Sequence, residues 1–141
     1  MSIESKEFVP QALRDLMKML NELHTLRERV EATIARSETS IRRIRALSMS
    51  LLLDDAMQVL ERAFGMLGLA NIAFEGLRQL TEDDLAKAEQ RPEQAAACAL
   101  RDRCGGSVTL DEVTSSLQKQ YYIRLTFVRE MFDAVREFLG N

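Results

Sequence analysis

The sequence predicts an all-α fold: a helical bundle of about three long amphipathic helices with one or two short connecting helices, the first helix coiled-coil-like. Three observations carry this. Apolar residues recur at alternating spacings of three and four, the period of a helix face. Breakers are scarce, with two Pro and six Gly in 141 residues, so long helices run without obstruction. No stretch alternates apolar and polar residues with the two-residue period of a strand.

The first helix is expected to start at Pro10, because proline suits a first helical position where its missing N–H is not needed. Residues 1–9 are then a flexible N-terminus. From there a series reads Leu13, Leu16, Leu20, Leu23, Arg27, Val30, Ile34, Ser37, Ile41, Ile44, Ser48 and Leu51. It is one heptad register with Leu13 at a and Leu16 at d. Nine of its twelve positions are apolar, so the pattern is a seam. A continuous helix over 10–47 would be about 57 Å long at 1.5 Å per residue. A compact domain cannot bury that length, so the helix either breaks near residues 37–40 or packs against a partner. Arg27, Ser37 and Ser48 are the polar interruptions. They either specify register in a coiled coil or mark where the helix leaves a core.

After Ser48-Met49-Ser50 the apolar line shifts. Leu53, Met57, Leu60, Phe64 and Leu67 form one row, and Ala56, Ala63, Ala70, Phe74 and Leu77 a second, a wide face suited to the middle of a bundle. Gly65, Gly68 and Gly76 weaken this helix and permit a close approach or a kink. Thr81 reads as an N-cap followed by Glu82, Asp83 and Asp84 in a first turn. That short helix must end near Arg91, before Pro92. A second short helix runs from Glu93 to Cys104 and stops at Gly105-Gly106. Thr109-Leu110-Asp111-Glu112 is a capping box. The last helix runs from Leu110 to Leu139, with Leu117, Tyr121, Leu125, Val128, Phe132, Val135 and Leu139 on one face and Ile123, Phe127, Met131, Ala134 and Phe138 widening it. Leu20, Leu23, Leu60, Phe64, Leu117, Val128 and Phe132 are the expected core. A single domain over 1–141 fits the length.

Composition narrows the function classes. The net charge is −3 and the pI about 5.3, which disfavours bulk binding to nucleic acid or an anionic membrane. No apolar run approaches the roughly 20 residues of a membrane span, and the first residues lack the apolar core of a signal peptide. A cytoplasmic location is the expectation, with export lacking a cleaved signal left open. Four arginines, Arg36, Arg42, Arg43 and Arg45, face only Glu38 locally, and Arg29, Arg36 and Arg43 share one heptad position, an outer stripe. Residues 75–93 hold six acids against three bases. These regions read as solvated faces that attract one another, or as a docking patch.

Candidate chemistry is thin. His24 is the only histidine, with Glu28 one turn on. A di-iron bundle needs two Glu-x-x-His sets, and a zinc protease needs His-Glu-x-x-His. Phosphate-cradling glycine motifs and a Gly-x-Ser-x-Gly elbow are lacking. Asp54-Asp55 and Asp83-Asp84 do not form a calcium loop. Cys98 and Cys104, six apart, would sit roughly 9 Å apart along one helix, too far for a disulfide without unwinding. No cofactor or metal is expected.

The function expected on this basis is that of a non-enzymatic interaction or assembly protein: an adaptor, a chaperone-like factor or a structural subunit. It would act through helix packing with a second copy, as a homodimer, or with another helical protein. The interface is expected on the first helix, at Leu13, Leu16, Leu20, Leu23, Arg27, Val30, Ile34, Arg36 and Arg43. The alternative is a helix-turn-helix regulator over residues 93–125, although Asp111 and Glu112 put acids where a recognition helix wants donors. A helical enzyme without a standard motif comes third.

Overall fold

The computed structural model describes residues 5–79, 92–106 and 109–140. Among these it contains four helices and no strand: α1 Ser5–Arg36, α2 Ser40–Gln79, α3 Pro92–Arg103 and α4 Leu110–Leu139. The protein is an all-α helical bundle in which α1, α2 and α4, of 32, 40 and 30 residues, are the long members. The short helix expected after Thr81 lies outside the described residues. None of the helices is long and apolar enough, over the described residues, to cross a membrane.

The chain divides into two compact units, Met1–Arg14 with Ala63–Tyr122, and Asp15–Arg62 with Ile123–Asn141. In the first, Tyr121 is 1% exposed and its hydroxyl donates to the Ala12 carbonyl at 3.1 Å. Phe8 meets the Tyr121 ring edge-on, with centroids 5.6 Å apart. Burial of a large aromatic with a satisfied hydroxyl is a strong anchor. Leu67, Leu100, Val113 and Leu117 complete this interior. In the second, Leu16, Leu23 and Val30 of α1, Leu53 and Leu60 of α2, and Leu125, Val128 and Phe132 of α4 are all buried.

The helix ends follow their local chemistry. Residues 37–39 separate α1 from α2. Arg36 Nε donates to the Ala32 carbonyl at 3.2 Å, the buried Ser37 hydroxyl to the Thr33 carbonyl, and Arg43 to the Ser37 carbonyl at 2.9 Å. Two carbonyls of the last turns of α1, and that of Ser37 just beyond it, thereby gain donors. Thr39 opens α2, its hydroxyl accepting from the Arg42 N–H at 3.4 Å. At α4 the Thr109 hydroxyl accepts from the Glu112 N–H at 3.2 Å, the N-cap half of the expected capping box. Gly105 and Gly106, with φ of 78° and 80°, close α3: the Gly106 N–H reaches the Arg101 carbonyl and the Gly105 N–H the Asp102 carbonyl, the pair of bonds that marks a Schellman end.

Four expectations need correction. The first helix begins at Ser5, with Pro10 inside it; burial of Phe8 and Val9 holds helix where proline removes one backbone bond. The buried line of α1 runs Val9, Ala12, Leu16, Met19, Leu23, Leu26, Val30, Thr33 and Ser37. It shares Leu16, Leu23, Val30 and Ser37 with the predicted seam and replaces the other members by their preceding neighbours. Two such lines differ by a small rotation of the helix, and the rotation seen buries Leu26 while bringing Arg27 to the edge. Leu20, expected in the core, is half-buried for the same reason, and Phe64 of α2, also expected there, is half-buried beside the buried Ala63. A Cβ built on Gly65 or Gly68 would meet nothing within 4 Å, so neither glycine serves a close approach.

Candidate interaction surface

The predicted interface residues lie in the second unit, apart from Leu13. Of the predicted interface residues, Leu16, Leu23 and Val30 are fully buried by the chain itself and have no surface to offer a partner. Leu20, Arg27 and Ile34 are half-buried, and Leu13, in the first unit, is 36% exposed. Arg36 and Arg43 are exposed, each bonded to a carbonyl at the end of α1. Arg27 finds an acceptor within its own chain, Asp54 of α2, at 3.0 Å.

The seam has a different fate past the break. Ile41, Ile44, Leu47 and Leu51 of α2 are 69%, 62%, 47% and 66% exposed. At about 100° of rotation per residue, Ile44, Leu47 and Leu51 lie within about 60° of one another. Ala46, Leu53, Ala56 and Leu60, the buried line of α2, face the opposite way. The helix is therefore apolar on two sides over this stretch, and only one is covered. Ile41, Ile44 and Leu51 belong to the heptad series read from the sequence. Leu47, which falls between its a and d positions, is not in that series; its i−3 and i+4 neighbours, Ile44 and Leu51, are the signal that places it on the same stripe.

The stripe has charged ends. Arg42, Arg43 and Arg45 lie at its start, with no acid in the first turn of α2. Asp54 and Asp55, both exposed, lie past its other end. Beside it a depression of about 490 Å³ is lined by Thr39, Ile41, Arg42, Arg45, Glu137 and Phe138. Arg42 covers the Phe138 ring, its guanidinium carbon 5.4 Å from the centroid, a cation–π contact that fixes the wall of this depression. On α4, Ile123 and Phe127 are also exposed, at 49% and 54%.

His24 and Glu28 are exposed, and no group of three His, Cys, Asp or Glu side chains among the described residues is placed to hold a metal. Cys98 and Cys104 are both free thiols. Burial pushes the Cys104 thiol up, a hydrogen bond with the Ser116 side chain acting against it, and a raised thiol is a poor nucleophile. In the first unit α3, the turn at residues 104–106 and α4 follow the order of a helix-turn-helix, with Asp111 and Glu112 exposed at the start of α4. Comparison with known protein families, curated proteins and solved structures finds no match.

Proposed function

We propose that this chain is a non-enzymatic interaction or assembly protein that works by helix packing, and that the exposed apolar stripe of α2 is its contact surface. The carrying observation is the exposure of Ile41, Ile44, Leu47 and Leu51 next to an interior in which comparable residues are fully covered. Single exposed leucines are ordinary, but a contiguous apolar stripe rimmed by charge is the mark of a contact surface. Helix-in-groove recognition uses anchors at this spacing. Such a surface needs no cofactor and no metal.

A photoreactive amino acid in place of Leu47 tests the reading in the cells the protein comes from, with the same group at exposed Lys119 of α4 as control. Protein adducts are expected from position 47 and not from position 119. No adduct at 47, or the same adducts at both, overturns the proposal.

A further inference from the structure

The geometry points to a second copy of this chain as the occupant of the α2 stripe, its α2 running antiparallel to the first; the inference rests on the interaction reading above and names its partner. The stripe is polar in the electrical sense. It runs from Arg42, Arg43 and Arg45 through Ile44, Leu47 and Leu51 to Asp54 and Asp55. A parallel pair of such helices places like charges side by side, which is destabilising. An antiparallel pair related by a two-fold axis near Met49 places the arginine end of each against the aspartate end of the other, and Leu47 against Leu51. A two-fold contact of this kind is self-complementary and closed.

The flanking positions agree. Arg43 and Asp54 project within about 20° of one another around the helix, on the same side of the stripe. In an antiparallel pair it is same-side positions that meet across the contact, so Arg43 of each copy faces Asp54 of the other. Both remain reachable. Asp54 uses one oxygen toward Arg27 and its side chain is 58% exposed, while Arg43 gives one nitrogen to the Ser37 carbonyl and is exposed. The stripe from Ile41 to Leu51 covers about 15 Å of helix, a small contact, so the dimer belongs to the weak, reversible class.

Charge reversal with mixing tests this. Light scattering of the full chain at high micromolar concentration is expected to rise toward twice the 16.0 kDa monomer mass. Arg43→Glu alone and Asp54→Lys alone are each expected to lose at least tenfold in self-association, while circular dichroism shows both still helical. Mixed in equal amounts they are expected to recover it as a heterodimer, since each contact then joins opposite charges. Merely structural damage would not be rescued by mixing. A monomeric wild type, or variants that associate as well alone as mixed, overturns the second-copy inference. If the position-47 adducts then contain a different chain, the interaction reading stands without it; if there are none, both fall.

Discussion

Leu16, Leu23 and Val30 on α1 and Ile41, Ile44 and Leu51 on α2 continue one three-and-four spacing, yet the first three are fully buried and the last three are each more than 60% exposed. The difference is in what lies opposite. The α1 residues belong to a helix with a single wide apolar side, so burying that side in the interior that also holds Leu53, Leu60 and Phe132 settles its orientation. In α2 the same stretch carries a second apolar row, headed by Ala46 and Leu53, and a helix cannot turn both rows inward within one unit. The row with Leu53, Ala56 and Leu60 continues further along the helix and is the one covered. Amphipathic spacing thus states that a face is apolar; how many neighbours the fold provides decides whether it is buried.

Matched substitutions in the two halves put numbers on this contrast. The largest difference is expected between Leu23→Ala and Leu51→Ala in dilute solution, followed by chemical denaturation. Leu23→Ala should cost roughly 2–5 kcal/mol, and Leu51→Ala no more than about 0.5 kcal/mol, as for an ordinary surface site. Comparable losses at both would mean that the α2 stripe is covered within the monomer.

The serines of the seam offer a second matched pair. Ser37 is buried and donates to the Thr33 carbonyl, whereas exposed Ser48 donates to the Ile44 carbonyl at 3.1 Å. Removing a buried hydrogen-bonding hydroxyl costs about 0.5–1.5 kcal/mol, the loss expected for Ser37→Ala in a thermal melt. Ser48→Ala should be neutral or gain a few tenths of a kcal/mol, since alanine is the better helix former. A loss at Ser48 equal to that at Ser37 would erase the contrast between the halves.

Arg27 and Asp54 link the halves, and a double-mutant cycle on them should return a coupling of about 0–1 kcal/mol that shrinks with added salt. A coupling well above that would show a pair shielded from solvent. The smallest effect concerns the thiols. Cys98 is half-buried and Cys104 buried, so a thiol reagent should modify Cys98 first. The Cys104 thiol is raised in the fold, so the unfolded chain gives up this proton at lower pH than the native one. Stability should therefore fall as pH rises past about 9, the ordinary thiol value, and Cys104→Ala should remove that part of the slope in melts across the alkaline range. A slope unchanged by the substitution would assign it to other groups.

Helix class and the ends of α3 and α4 were legible from the chain alone, because they rest on chemistry within a few residues. Thr109 with Glu112 starts α4, Gly105 and Gly106 stop α3, and the scarcity of breakers lets the long helices run. Residues 37–40 were legible as one of two outcomes, and the capping by Thr39, Arg36 and Arg43 is the local reason the break falls there. The rest needed the tertiary structure. The one-residue rotation that buries Leu26 and sets Arg27 beside Asp54, the helical turn held ahead of Pro10 by Phe8 and Val9, and the exposure of Ile44 and Leu51 all depend on which distant segment lies opposite. Periodicity determines the faces a helix can present; the free energy of covering them belongs to contacts made across the chain, and only those contacts select the face that stays in water.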